Sequence, residues 1–206
     1  ITSDQAASGQ VQIGTGGPII NFNIAANTVR RIFLGSAASS DAPNGSVYQD
    51  QIDGIKAGSA VKVTSNQPVV VYAHIIRSAR SGSSLLLPSP TWGRDYIIPS
   101  YRSTGASGEA SGRGVLNVVA KESNTIVEII PKATSFDGQR TPNVPYTITL
   151  NNPGDVYQVQ FQKDADISGT IVRSIASGTT GCKPIGVFSA STWSAFNCVG
   201  ASGGDN

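Results

Sequence analysis

Apolar and polar residues alternate with a period of two through much of the chain. Residues 146–150 and 156–161 show this alternation clearly, and it places one set of side chains on a core and the other in water. The cluster Asn-Asn-Pro-Gly-Asp at residues 151–155 predicts a turn between them. The pattern therefore predicts a β-hairpin here, and similar patterns predict two more hairpins over residues 115–130 and 19–34.

Other stretches depart from this alternation. The continuous apolar run Pro-Val-Val-Val-Tyr-Ala at residues 68–73 predicts a strand that is buried on both faces. Residues 35–54 are polar and predict a long loop. Residues 102–114 are mostly Ser, Gly, Thr and Ala, which predicts an exposed connection between two units. The best helical candidate is a short turn near residues 89–93.

The order of these elements repeats along the chain. A hairpin, a strand led by Gly and an apolar strand led by Pro occur within residues 19–73 and again within residues 146–190. Such an order predicts two related β units, residues 1–104 and 105–206, although any all-β chain has some self-similarity of this kind. The predicted fold is all-β and antiparallel, with two tandem sandwich-like units packed together.

Composition supports the all-β prediction and excludes several function classes. Charged residues make up only 14% of the 206 residues, against about 25% in an average soluble domain. The net charge is +2 and no Lys/Arg cluster occurs, which argues against nucleic-acid binding. No apolar run approaches the ~18 residues needed to insert into a membrane. The first residue is Ile1, and we expect the chain to be a piece of a longer protein.

Two cysteines, Cys182 and Cys198, are present. An even count in a chain of low charge that is rich in Ser, Thr and Gly predicts one disulfide and an oxidising compartment. Two buried free thiols are the alternative. A bridge that closes a loop of about 15 residues contributes roughly 3 kcal/mol in the chain-entropy model.

Catalytic and metal-binding residues are hard to find. The single histidine, His74, follows an apolar strand, and no nucleophile motif accompanies it. One histidine and two cysteines do not make a tetrahedral zinc site. Asp164, Asp166 and Asp205 predict solvated turn carboxylates, with calcium ligation as the alternative. We therefore predict no catalytic residue, no metal and no cofactor.

The most distinctive candidate for binding lies within residues 89–102. Trp92, Arg94, Tyr96 and Tyr101 combine aromatic rings with guanidinium, and such residues are enriched in recognition sites. The alternative is that the rings only anchor this segment to a sheet.

Several linked segments resemble the N-terminal domain of IgGFc-binding proteins. They read PVVVYAH at residues 68–74, LLLP at 85–88, GRDY at 93–96, CKPIGVFS at 182–189 and GGD at 203–205. The resemblance covers the chain from about Gly58 to its end. It departs from the family pattern at Trp92, where Leu is usual, and at Ala190, where Gly is usual.

The resemblance implies an extracellular or cell-surface module without enzymatic activity. In bacteria such domains occur in long surface adhesins, including those of gliding bacteria exported by the type IX secretion system. No ligand residues of the family carry over, and the IgG activity in its name is not transferred, because a fold does not specify a partner.

These observations lead to one function and two alternatives. We expect a non-enzymatic binding and structural module of an adhesin-type protein, with a protein or glycan surface ligand and with other domains of the same long protein as partners. An extracellular hydrolytic or carbohydrate-active domain would instead need two carboxylates converging near Trp92 or Trp193. A pure spacer would show no surface cluster of aromatic residues.

Overall fold

The computed structural model describes residues 1–34, 51–77, 80–102, 112–176, 181–198 and 201–205. These residues form seventeen strands and one short 3₁₀ helix, η1 (Ser89–Thr91). Numbered in chain order, the strands are β1 (Thr2–Ser3), β2 (Ala7–Ile13), β3 (Ile19–Ile24), β4 (Thr28–Val29), β5 (Asp53–Lys56), β6 (Val61–Ser65), β7 (Val71–Arg77), β8 (Arg80–Leu86), β9 (Asp95–Ile97), β10 (Arg113–Ala120), β11 (Thr125–Ile130), β12 (Tyr146–Leu150), β13 (Val156–Lys163), β14 (Ile171–Ile175), β15 (Ile185–Ser191), β16 (Ser194–Cys198) and β17 (Ala201–Asp205). The prediction of an all-β, antiparallel fold is confirmed, as is the helical turn.

The chain divides into two compact units. Unit 1 comprises Ile1–Gln49 and Gly58–Thr91, and unit 2 comprises Asp50–Ala57 and Trp92–Asn206. This division differs from the boundary predicted between residues 104 and 105. The reason is strand pairing, since β5 pairs with β13 and β9 pairs with β14, both within unit 2.

Unit 2 is a sandwich of two antiparallel four-stranded sheets. One sheet has the order β15-β10-β13-β5, and the other has the order β12-β11-β14-β9. Their inward side chains form one buried core, which includes Leu116 and Phe161 from the first sheet and Val127, Leu150 and Val172 from the second. Alternation along each strand therefore buries one row of side chains between the sheets.

The turn clusters of unit 2 connect its two sheets and do not close hairpins. β10 and β11 belong to different sheets, as do β12 and β13. The two connections are hydrogen-bonded to each other, since Asn124 N donates to Asn151 O at 3.1 Å and Gly154 N donates to Ala120 O at 2.9 Å. The hairpins predicted over residues 115–130 and 146–161 are therefore wrong.

Unit 1 contains three smaller antiparallel sheets. Their orders are β1-β4, β3-β2-β6 and β7-β8. The third predicted hairpin, over residues 19–34, is also wrong, because β3 pairs with β2 while β4 pairs with β1. The core of this unit is a small cluster formed by Ala7, Val11, Phe22 and Ile24.

The apolar run at residues 68–73 is not buried on both faces, contrary to prediction, although Val69 packs against the core of unit 1. Val70 is 43% exposed and Tyr72 is 51% exposed. Within the described residues, β7 pairs along its length only with β8, in a two-stranded sheet. A two-stranded ribbon has no second layer on each face, so the run is not buried. His74 lies on this ribbon opposite Ser83 and is exposed.

Parts of two predictions lie outside the described residues. The exposed connection falls largely on residues 103–111, and the predicted loop falls largely on residues 35–50. Within the rest of that loop, Asp53–Lys56 forms β5. The internal repeat stays a prediction.

Candidate functional site

Trp92 packs against the backbone of β15. A Cβ atom added at Gly186 would lie 2.8–2.9 Å from three carbons of the indole ring, which is too close for any side chain. The glycine therefore makes room for the ring, and the side chain of Trp92 is half-buried. This placement fits an anchoring role for Trp92.

Tyr96 anchors the same segment through its hydroxyl group. The hydroxyl accepts a hydrogen bond from Gly93 N at 2.7 Å and donates one to Ile185 O at 2.7 Å. Ile185 N in turn donates to Gly93 O at 2.9 Å. The ring also packs against the core of unit 2, so Tyr96 holds the start of β9 on β15.

Arg94 and Tyr101 are the exposed members of the predicted set. Arg94 Nε donates to Cys182 O at 2.7 Å, and its own carbonyl accepts from Ser174 N at 2.7 Å. Tyr101 is 55% exposed. Trp92 and Tyr96 thus pack on unit 2, whereas Arg94 and Tyr101 are exposed to solvent. A binding role for these four residues stays a prediction.

The two cysteines both belong to unit 2. Cys182 is recorded as a free and exposed thiol. Cys198 ends β16, and its side chain lies outside the described residues. The disulfide between them stays a prediction.

A second exposed surface lies on the outer side of the sheet β12-β11-β14-β9. Ile130, Ile171 and Ile97 are aligned across three neighbouring strands. Ile97 is 73% exposed, whereas Ile130 and Ile171 are half-buried. We call this surface the outer isoleucine face, and its members are Ile97, Ile126, Ile130, Ile171 and Ile175.

An ion pair crosses the middle of the outer isoleucine face. Arg173 and Glu128 are aligned on neighbouring strands, and Arg173 Nη2 lies 2.5 Å from Glu128 Oε1. Asp95 is aligned with Arg173 on its other side. Isoleucine rows therefore flank a charged row, and an arginine that is 45% exposed lies among apolar side chains.

The sequence contained a signal for this face that alternation alone did not reveal. Strand β11 reads TIVEII and strand β14 reads IVRSI, so isoleucine occupies outward as well as inward positions. A strand that is buried on one face needs apolar residues only at its inward positions. Apolar residues at outward positions therefore indicate a surface that contacts something else.

A buried polar cluster lies at the edge of the other sheet. Asp53 of β5 accepts a hydrogen bond from Tyr157 at 2.6 Å and from Arg140 Nε at 2.5 Å. Tyr146 donates to Tyr157, with 2.9 Å between their hydroxyl oxygens. The Asp53 side chain is only 5% exposed. The sequence analysis missed this cluster because it assigned Asp53 to a polar loop.

The cluster is suited to clamping the edge strand and not to proton transfer. Burial raises the pKa of both Tyr146 and Tyr157 far above the ordinary tyrosine value, so both phenols stay protonated and act as donors. The hydrogen bond to Asp53 raises the pKa of Arg140. The two tyrosines and Arg140 thus keep one protonation state near neutral pH, and the cluster holds β5 against β13.

Comparison with protein families identifies unit 2. The family model described as IgGFc binding protein matches residues 82–206, which is more than half of the chain. The chain belongs to the IgGFc binding protein family. The resemblance seen in the sequence is confirmed, with a matched range that begins at residue 82. No curated protein and no solved structure matches the chain.

The IgGFc-binding match contains the outer isoleucine face and all four residues predicted to bind. It leaves out β5, and with it the Asp53 end of the polar cluster. Members of this family are binding domains and are typically extracellular. Most of unit 1 also lies outside the matched range.

Two features of the described residues bear on other functions. No helix among them is long and apolar enough to span a membrane. Within the same residues, no three side chains of the His, Cys, Asp or Glu type come together as metal ligands. Asp166 instead accepts a hydrogen bond from Ser168 N at 2.8 Å.

Proposed function

We propose that this chain is an extracellular, non-enzymatic binding module of an adhesin-type surface protein, and that the outer isoleucine face of unit 2 contacts a protein partner. The observation that carries the proposal is Ile97, which is 73% exposed in line with two further isoleucines. Contiguous apolar side chains on the surface of a soluble domain mark interaction sites. Arg173, in the middle of this face, is of the residue type most enriched among interface hot spots, together with Trp and Tyr.

The charged row supports a protein partner over an anionic polymer. Arg173 is already paired with Glu128, and Asp95 lies beside it on β9. A face with one cation and two carboxylates repels a polyanion, whereas isoleucine rows bury well against apolar side chains of another protein. Arg94 and Tyr101 are further exposed groups of the same unit and supply secondary contacts in this proposal.

Enzymatic activity has no comparable support. His74 is exposed on a two-stranded ribbon. Asp53, the most buried carboxylate of the polar cluster, is occupied by Arg140 and Tyr157. Trp92 lies on the backbone of Gly186. A hydrolase would need a carboxylate or nucleophile poised beside an open cleft.

The experiment uses beads that carry the whole chain. The family description supplies the protein probe, so the beads are washed under flow over plates coated with the Fc fragment of immunoglobulin G or with serum albumin. Ile97→Asp places a charge within the proposed contact, and we expect it to lower Fc-dependent retention at least tenfold, because desolvating an unpaired charge in an interface is costly.

Val144→Asp is the matched control. Val144 is 54% exposed and belongs to the same unit but not to the outer isoleucine face. Both variants alter an exposed side chain, so both should melt at the wild-type temperature. If the wild-type chain were retained equally on Fc and on albumin, the proposal of this partner would be overturned. If Ile97→Asp and Val144→Asp were retained equally on Fc, the assignment of the binding surface to the outer isoleucine face would be overturned.

A further inference from the structure

The outward side of the sheet β3-β2-β6 in unit 1 carries uncharged hydrogen-bonding side chains along most of its length, and Lys62, aligned with Gln12, is the charged residue of that side. The inward positions of this sheet include Val11 and Phe22, which belong to the core of unit 1. The outward positions alternate with them and are partly or fully exposed. Six of these polar residues lie together: Ser8, Gln10, Asn21, Asn23, Thr64 and Asn66.

Strand register brings these side chains into two rows. Gln10 of β2 is aligned with Asn21 on one side and with Thr64 on the other. Ser8 is aligned with Asn23. Neighbouring strands lie about 4.8 Å apart, so side chains in one row are spaced closely enough to contact one small ligand together.

The polar side chains line a shallow groove of about 510 Å³. Asn66 Oδ1 accepts a hydrogen bond from Ser8 N at 2.8 Å, which fixes its side chain at one end. The side chains of Gln10, Asn21 and Asn23 make no hydrogen bond to any other residue that the structure describes. Their donors and acceptors are therefore open to a ligand.

The chemistry of the groove selects the ligand class. Each carboxamide offers a donor and an acceptor, and the Thr64 hydroxyl offers both as well. A sugar ring presents neighbouring hydroxyl groups that likewise donate and accept. No charged side chain lines the groove, so it has nothing to pair with a carboxylate, a phosphate or an ammonium group. From this arrangement we infer that the groove of unit 1 binds a neutral saccharide.

This site is separate from the proposed protein contact of unit 2. The groove residues all lie outside the matched range of residues 82–206. A change in saccharide binding that is caused by substitutions in the groove therefore reports on unit 1, and this result does not depend on whether the outer isoleucine face binds protein.

The test measures saturation transfer by nuclear magnetic resonance from the whole chain to four methyl glycosides. The neutral probes are the methyl glycosides of galactose, mannose and N-acetylglucosamine, and the charged probe is that of glucuronic acid. We expect at least one neutral probe to bind at millimolar concentration and the charged probe to give no signal. The Gln10→Ala/Asn21→Ala double variant should weaken binding about tenfold, because it removes two hydrogen-bonding groups.

Gln162→Ala is the matched control, because Gln162 is an exposed carboxamide on β13 of unit 2. It should bind the neutral probe as the wild type does, and all variants should keep the wild-type circular dichroism and melting temperature. Three results would overturn the inference: no transfer to any neutral probe, transfer to the charged probe alone, or equal binding by the double variant and the Gln162 variant.

Discussion

The two units distribute their apolar residues differently. Among the residues that the structure describes, unit 2 buries a core cluster of fourteen residues between two four-stranded sheets, whereas the core cluster of unit 1 has four. Unit 1 exposes more of its large apolar side chains, such as Val29 at 75% and Ile75 at 71%. Strand content alone therefore does not make a core, because burial requires a second sheet facing the first.

This contrast has an energetic consequence. Burial of apolar area stabilises a fold by about 25 cal/mol per Å², so the larger core gives unit 2 the greater stability of its own. We expect slow hydrogen exchange in the central strands of unit 2 and faster exchange in the small sheets of unit 1. Three experiments test this difference, from the largest expected effect to the smallest.

Truncating a core phenylalanine in each unit tests the contrast most strongly. Phe161 is fully buried in unit 2 and Phe22 is 2% exposed in unit 1. Replacement of either by Ala should cost about 3–5 kcal/mol, from lost burial and the cavity left behind. Hydrogen exchange should then show that Phe22→Ala abolishes protection in unit 1 and spares unit 2, while Phe161→Ala weakens unit 2 without abolishing its protection.

Phe33→Ala serves as the control, because Phe33 is 62% exposed. It should leave the exchange of both units unchanged. Loss of protection in unit 2 after Phe22→Ala would contradict the independent cores, since it would mean that the two units unfold together.

The predicted disulfide would widen the difference in stability, because both cysteines belong to unit 2. A bridge between Cys182 and Cys198 is expected to contribute roughly 3 kcal/mol to that unit alone. Mass spectrometry of the denatured protein should show alkylation of both thiols only after reduction. Complete alkylation without reductant would establish two free thiols, and unit 2 would then rely on its core.

A substitution at Asp53 tests whether its hydrogen bonds hold β5 on unit 2. Asp53→Ala removes the acceptor of Arg140 and Tyr157, and we expect a loss of about 1.5–3 kcal/mol, as for hydrogen bonds to charged groups. Amide exchange should accelerate in β5 while unit 1 stays unchanged. Asp95→Ala, at an exposed position of the other edge strand, should have little effect. Equal loss of protection in unit 1 would show that β5 also supports that unit.

The sequence predicted the strands better than their partners. Alternation identified β12, β13 and the turn between them, and it identified the buried side of β12, whereas residues 156–159 of β13 are all buried. It did not show that this turn passes from one sheet to the other. A period of two specifies the face of a strand and not the neighbour to which it is hydrogen-bonded. For this reason the pattern predicts three hairpins, although two of these connections join different sheets of unit 2 and the third joins two strands of unit 1 that do not pair.

The candidate sites also differ in how far the sequence alone predicts them. The segment that contains Trp92 and Tyr96 was recognisable from its aromatic residues, but the backbone gap at Gly186 is visible only in three dimensions. The clamp at Asp53 joins residues far apart in the chain, and no local pattern predicts such a contact. The groove of unit 1 likewise depends on the register of three strands.

The route of the chain through β5 also affects how the protein would respond to mechanical load. The chain passes from unit 1 into unit 2 at residue 50, returns at residue 58 and leaves again at residue 92. Tension from the N-terminal side therefore reaches β5 at residue 50, while residues 58–91 begin and end in unit 2 and bear no load as long as β5 stays hydrogen-bonded to β13. Residues 58–91 cannot be extended until that ladder breaks, so the four residues of β5 set the force at which unit 1 extends completely.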